Sequence, residues 1–161
     1  MASRHILAAM SASALFLLSG CGFQPLYAGP NTAALSAMEI EAGQSRIDYL
    51  IEDALAGAFG STGGPSPYRL TLESQTRELP LGISAADRAT RYALEVTVGY
   101  RLESGGEEVS IGRVSDTAYF DAPNEAFGLI AARRDAETQA AEAVARRLSR
   151  RLAAAVNEDQ R

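Results

Sequence analysis

Residues 91–102 alternate between apolar side chains and polar or small ones. Because successive side chains of a β-strand point to opposite faces, this period of two predicts a long strand with one buried face. A second layer must cover that face, which restricts the chain to two-layer or barrel arrangements. The apolar positions are Tyr92, Leu94, Val96, Val98, Tyr100 and Leu102.

Two amphipathic helices can supply the covering layer. Ser45 and Asp48 have the spacing of a capping box, and they precede an apolar stripe with helical periodicity that runs to Phe59. The second helical pattern follows Pro123 and continues to Val156, so residues 157–161 are expected to fray. Both patterns predict helices with one face made for burial.

Three more segments read as strands. These are the segment around Met38 to Ala42, the segment from Tyr68 to Gln75, and a last strand that follows a hairpin turn at residues 103–107. We predict a connection over 78–90 and a β-bulge at Gly112, where the apolar parity changes. The order β-α-β-β-β-α predicts an α+β two-layer sandwich with a four-stranded mixed sheet and both helices on one face. We expect this domain to span residues 37–156.

The N-terminus reads as a leader. Its apolar run, residues 6–18, is too short as a helix, at roughly 20 Å, for a hydrocarbon core of about 30 Å. The run ends in Leu18-Ser19-Gly20-Cys21, which resembles the lipobox of bacterial lipoproteins, and Cys21 is the sole cysteine. We predict a removed signal peptide over 1–20, lipidation of Cys21 and a tether over 21–36.

Composition excludes several functions. Net charge is −5, and −6 once the leader with Arg4 is removed, which disfavours nucleic-acid binding. His5, the one histidine, also lies in the leader, so the mature chain lacks the commonest catalytic base and zinc ligand. We expect no metal and no enzymatic activity, since no recognisable motif accompanies the carboxylates that could act in pairs.

The segment CGFQPLY, Cys21 to Tyr27, resembles the opening of the mature LPS-assembly lipoproteins of the LptE family. The order of elements after it is similar too. The resemblance implies an outer-membrane lipoprotein, acylated at Cys21 with N-acyl and S-diacylglycerol chains and needing no other cofactor. It also implies a non-enzymatic plug, on the periplasmic side, inside the LPS-assembly β-barrel LptD, which it helps to assemble while assisting lipopolysaccharide insertion into the outer leaflet.

Arginines are the candidate contacts for lipopolysaccharide, because their planar guanidinium groups suit phosphates and carboxylates. Arg77, Arg88 and Arg91 flank the predicted connection between the second and third strands and are our first candidates. The arginines of the last helix are a second candidate, although the helix dipole alone favours cations near a C-terminus. Phe23, Leu26 and Tyr27 of the tether are expected to contact the barrel or the membrane.

One other lipoprotein function stays open from the residues alone. An auxiliary subunit of an ABC-type lipid transporter is also a small anchored α+β domain without chemistry of its own. The two readings differ in their partner, since one predicts a large β-barrel and the other an ATPase complex.

Overall fold

The computed structural model describes residues 34–60, 66–83 and 89–161. The leader, Cys21, Arg88 and most of the predicted tether lie outside the described residues. The predicted order of elements is confirmed. The elements are β1 (Glu39–Glu41), α1 (Arg46–Phe59), β2 (Tyr68–Ile83), β3 (Ala89–Ser104), β4 (Glu107–Asp121) and α2 (Ala126–Asp159).

The four strands form one mixed sheet in the order β1-β2-β3-β4. β1 is parallel to β2, with Ile40 opposite Leu70, and the remaining pairs are antiparallel. The connection between the parallel strands contains α1, as a crossover must. α1 packs against β2 and α2, and α2 packs against β3 and β4. The predicted α+β sandwich with one helical layer is therefore confirmed.

The core lies between the helices and the face of the sheet that β3 was predicted to bury. Leu94, Val96, Val98 and Leu102 of β3 are at most 2% exposed. α2 meets this face with small residues in its middle and larger ones towards its end, so the helix can lie close to the strands. The buried α2 residues are Ala136, Ala140, Ala141, Val144, Ala145, Leu148, Ser149, Leu152 and Val156.

α1 begins with the predicted capping box. Ser45 Oγ accepts from the Asp48 N–H at 3.2 Å, and the Asp48 carboxylate accepts from the Ser45 N–H at 2.9 Å. Ser74 of β2 donates its hydroxyl to the same carboxylate, which ties the start of α1 to the sheet. Burial alone raises the pKa of Asp48, but the hydrogen bonds from Ser45 and Ser74 together outweigh it and lower that pKa.

β2 is longer than predicted. It continues to Ile83, so the predicted connection over 78–90 is wrong in its first half. β1 pairs with β2 only at Arg69 to Thr71, and the rest of β2 is an edge strand. An edge tolerates the missing N–H of Pro80, and the register shifts between Pro80 and Ile83 accommodate the irregularity.

The predicted bulge at Gly112 is also wrong. Gly112 pairs with Tyr100 in an uninterrupted register, and the shift occurs further along, where Val109 has no partner on β3. A Cβ at Gly112 would lie 2.9 Å from the Tyr100 hydroxyl oxygen, so glycine is needed here to make room for the buried Tyr100 ring. The change of apolar parity indicates a bulge only if Ile111 is buried, whereas Ile111 is 57% exposed on the face of the sheet opposite the core.

Both ends of the domain extend past the predicted limits. Residues 34–36, assigned to the tether, are helical, and Leu35 is buried in the core. α2 continues to Asp159, through part of the expected frayed tail. The Tyr68 hydroxyl donates to Asp159 Oδ2 at 2.7 Å and holds this helix end against β2. Burial is the main cause that raises the pKa of the Tyr68 phenol, and the hydrogen bond to Asp159 raises it further.

Candidate functional site

The face of the sheet that carries no helix, here called the open face, displays charged side chains in mixed sign. The register places Arg69, Glu73, Arg91, Glu95 and Arg101 there. Arg69 forms ion pairs with Glu39 at 3.2 Å and Glu41 at 3.4 Å, and Arg101 pairs with Glu108. The open face is therefore a polar surface whose charges largely compensate one another.

The arginines selected from the sequence do not form one cluster. Arg91 pairs with Asp121 at 3.7 Å and lies 5.8 Å from the centre of the Tyr119 ring. Arg77 is exposed and lies opposite Glu95, which is four residues along β3 from Arg91. Roughly 13 Å of strand therefore separates Arg77 from Arg91. Arg88 falls in the part of the loop that the structure does not describe.

Four other arginines line a groove between β4 and α2. We call this the arginine groove; it has a volume of about 610 Å³, and its lining is Arg113, Val114, Ser115, Arg147, Arg150, Arg151 and Ala154. The arginines of the last helix were a candidate from the sequence, whereas Arg113 was missed. Only the packing of α2 along β4 brings Arg113 close to this helix, and no local sequence pattern predicts that contact.

A smaller cavity of about 370 Å³ lies on the open face, beside the arginine groove. Its lining includes Gly99, which has no side chain, and Ile111, whose apolar side chain is 57% exposed. Arg113 lines both cavities. A ligand with a charged group and an apolar part could therefore contact both without a break.

A third surface is apolar and lies at the start of α2. Phe127 is 88% exposed and Ile130 is 50% exposed, one helical turn apart. Leu81, near the end of β2, is 54% exposed. The sequence pattern placed Phe127 and Ile130 in the buried stripe of the helix, and the structure corrects this because α1 does not extend to this part of the molecule.

The described residues offer surfaces for binding. Within residues 34–60, 66–83 and 89–161, no group of histidine, cysteine and acidic side chains has the arrangement of a metal site. The raised pKa of Tyr68 follows from its burial and its bond to Asp159, and the lowered pKa of Asp48 follows from its hydrogen bonds to Ser45 and Ser74. In the same part of the chain, no helix is long and apolar enough to cross a membrane.

The described residues thus form a two-layer α+β domain with one charged face and an arginine groove, which are surfaces suited to binding. The sequence model of the lipopolysaccharide-assembly family LptE matches residues 31–152. This match covers most of the chain, so the protein belongs to the LptE family and functions in lipopolysaccharide assembly in the bacterial envelope. The resemblance drawn from the sequence is confirmed.

Solved structures agree with this assignment. A lipoprotein from Caulobacter crescentus superposes with a TM-score of 0.66 at 27% identity, over 78% of this chain and 95% of its own. The rare lipoprotein B from Shewanella oneidensis superposes with a TM-score of 0.60 at 12% identity, over 77% of this chain and 98% of its own. A minor lipoprotein from Acinetobacter baumannii superposes with a TM-score of 0.54 at 14% identity, over 73% of this chain and 88% of its own. The latter two support the fold alone. No curated protein matches the sequence significantly.

Proposed function

We propose that this protein is a non-enzymatic lipoprotein of the outer membrane that occupies the lumen of the LPS-transport barrel LptD. There it helps the barrel to assemble and assists the insertion of lipopolysaccharide. The family match over residues 31–152 carries the proposal. The Caulobacter crescentus neighbour, which is 27% identical, is itself a lipoprotein, and this supports the lipoprotein part of the proposal.

The open face is the surface we assign to the barrel. Barrel lumens are polar, and the ion pairs of Arg69 and Arg101 give this face a polar character with little net charge. Charges that are already paired, as those of Arg69 and Arg101 are, cost less to bury against a polar wall than isolated charges do. The helical layer then supports the sheet from the side remote from that wall.

Anchoring is assigned to Cys21 and to the tether that precedes β1. One acyl chain binds a membrane only marginally, whereas two or more hold a protein firmly. Replacement of the thiol, Cys21→Ser, is expected to move the protein from the membrane fraction to the soluble periplasmic fraction or to leave its leader uncleaved. A C21S protein that is processed normally and stays in the outer membrane would contradict the lipid anchor.

The contact with lipopolysaccharide through Arg77, Arg88 and Arg91 stays a prediction. Arg77 has no ion pair among the described residues, which leaves its guanidinium available to a ligand. Arg91 is engaged with Asp121, at a long distance and with both side chains exposed, so the pair costs little to open.

Co-purification from the native bacterium tests the barrel assignment. The tagged full-length protein should isolate a large β-barrel from outer membranes in an uncharged detergent, and its depletion should lower lipopolysaccharide at the cell surface. Recovery of an ATPase complex without a barrel, or unchanged surface lipopolysaccharide after depletion, would contradict the proposal.

A matched pair of variants tests the surface. Gln75 is exposed on the open face, and Gln139 is exposed on α2. Gln75→Trp places a bulky ring on the docking surface and should reduce the recovered barrel several-fold, whereas Gln139→Trp should leave it unchanged. Equal recovery with both variants would exclude the open face as the contact surface.

A further inference from the structure

The two edges of the sheet differ in whether their backbone groups are occupied. On β4, the Arg151 guanidinium donates to the Arg113 carbonyl oxygen at 3.0 Å. Further along this edge, the Thr117 N–H donates to the Asp116 carboxylate at 2.8 Å, and Arg147 pairs with the same carboxylate. Side chains of the protein itself therefore hinder another strand from pairing with this part of β4.

The edge of β2 is open beyond β1. β1 pairs with only the first part of β2, and no other strand of the described residues lies along this edge. The Gly105 N–H donates to the Pro67 carbonyl oxygen at 3.4 Å, so the backbone groups of Pro67 face β3. The register with β3 is uninterrupted as far as Pro80, and successive residues alternate in direction. The N–H and C=O groups of Ser74 and Thr76 therefore face away from β3.

The side chains along this open stretch carry charges of opposite sign on either side of Gln75. Glu73 and Arg77 lie two residues from Gln75 in opposite directions, and all three are exposed on the open face. Neither charged side chain forms an ion pair with another of the described residues. We call residues 73–77 the β2 edge segment. Two antiparallel copies of this segment can place Glu73 of each opposite Arg77 of the other.

The direction of the backbone groups allows this pairing. Two copies related by a twofold axis pair the same strand antiparallel, and outward-facing residues must lie opposite one another to exchange hydrogen bonds. With the axis at Gln75, Ser74 lies opposite Thr76 of the second copy, which meets this condition. An axis one residue to either side meets it too, but leaves both charges without a partner of opposite sign. The charges therefore select the axis at Gln75.

Neighbouring elements limit the length of such a ladder. β1 occupies the edge beside residues 69–71, and register shifts between Pro80 and Ile83 bend β2 at its other end. The β2 edge segment lies between these two limits. Because so short a ladder buries little surface, we expect a weak dimer, with a Kd on the order of 10–100 μM.

We propose that the β2 edge segment pairs antiparallel with the same segment of a second copy of this chain, about a twofold axis at Gln75. The dimer joins two four-stranded sheets into one continuous sheet and forms the ion pair of Glu73 with Arg77 twice. Charges on an edge hinder pairing with strands of other sequence, so these two also make the contact specific for a second copy. The inference concerns the protein free of any other partner and does not depend on the proposed function.

Charge reversal tests the pairing. Full-length protein in an uncharged, density-matched detergent is examined by sedimentation equilibrium over a range of concentrations. The variants are E73R, R77E and the double reversal E73R/R77E. The control is E107R, which makes the same change as E73R at an exposed position in the β3–β4 hairpin. Circular dichroism confirms that each variant is folded.

We expect E73R and R77E each to raise the dimer Kd about tenfold or more, because each replaces both ion pairs with like charges. E73R/R77E should dimerise about as strongly as the native protein, since both pairs form again with their signs exchanged. An equimolar mixture of E73R and R77E should form a heterodimer, in which every facing pair is again opposite in sign. E107R should change the Kd less than about twofold.

A disulfide tests the position of the axis. Gln75 of each copy lies opposite Gln75 of the other, in a pair that shares no hydrogen bond and has Cα atoms about 4.5 Å apart. This distance suits a disulfide, so Q75C should form a covalent dimer under mild oxidation. E73C should not, because roughly 13 Å of strand separates the two copies of that position. Q139C, on α2, is the second control, and the native protein shows the contribution of Cys21.

Three results would overturn the proposal. One is a native protein that stays monomeric up to about 1 mM. Another is an equal Kd for E73R, R77E and the native protein, or a mixture of the two variants that stays monomeric. The third is equal covalent dimerisation of Q75C, E73C and Q139C. If the native protein stays monomeric and Q75C in outer membranes crosslinks only to a barrel, the edge belongs to the barrel and a second copy is excluded.

Discussion

The domain has two regions that differ in how many helices cover the sheet. In the two-helix region, residues 34–60, 66–75, 97–115 and 137–161, α1 and α2 both lie on the strands. In the one-helix region, residues 76–83, 89–96 and 116–136, α2 alone does so. The boundary follows the start of α1, where Asp48 bonds to Ser74 and Arg46 pairs with Glu137.

The regions differ in what they bury. Both regions bury apolar side chains, such as Leu55 and Leu148 in the two-helix region and Leu94 and Val96 in the one-helix region, but Leu81, Phe127 and Ile130 of the one-helix region are at least half exposed. The one-helix region is held together by the stacked rings of Tyr92 and Phe120, 5.3 Å apart, and by the exposed ion pair of Arg133 with Glu78. We infer that the two-helix region supplies most of the stability.

The largest predicted effect compares two leucines. Leu55→Ala removes a side chain with no exposed area and should destabilise the protein by about 2–5 kcal/mol. Leu81 is 54% exposed, and Leu81→Ala should cost less than about 1 kcal/mol. Urea unfolding of both variants measures the difference. Similar costs would show that the one-helix region contributes to the core as strongly as the two-helix region.

The buried carboxylate at the boundary gives the next effect. Asp48→Asn removes the charge that accepts from Ser45 and Ser74 and should cost about 1–3 kcal/mol at neutral pH. Because the pKa of Asp48 is lowered on folding, its contribution is complete above the ordinary value of 3.8 and is lost as the pH falls through the folded pKa. Stability measured against pH should therefore fall in this range for the native protein and less for D48N.

The control for this prediction is Asp121→Asn in the one-helix region. Asp121 is exposed, and its ion pair with Arg91 spans 3.7 Å, so the substitution should cost less than about 0.5 kcal/mol. If D121N and D48N were equally destabilised, the capping box would have no special role in joining α1 to the sheet.

A small effect should be confined to the one-helix region. Arg133→Gln breaks the ion pairs with Glu78 at 3.1 Å and Glu137 at 3.8 Å and should lower global stability by less than about 1 kcal/mol. Amide hydrogen exchange should become several-fold faster over residues 126–136 and stay unchanged over 140–156. Arg146→Gln, which breaks the pair with Glu142, serves as the control and should change neither segment of α2 in this way.

In both regions, sequence patterns predicted which elements form better than they predicted where those elements end and what they contact. The capping box, the stripe of α1 and the alternation of β3 are local patterns, and each was confirmed. The extension of β2 past Pro80 and the exposure of Phe127 depend on where β1 and α1 end in space, which local periodicity does not encode. Arg113 was missed because the residues that line the groove with it lie on α2, far along the chain.

Photo-crosslinking in the native bacterium tests the central claim most directly. A crosslinkable residue at Thr97, on the open face at the border of the two-helix region, should capture the LPS-transport barrel, identified by mass spectrometry. The same residue at Gln139 on α2 should capture far less of it. Crosslinks from Thr97 to the subunits of an ATPase complex, or no barrel peptides from Thr97, would contradict the assignment of the open face to a barrel lumen.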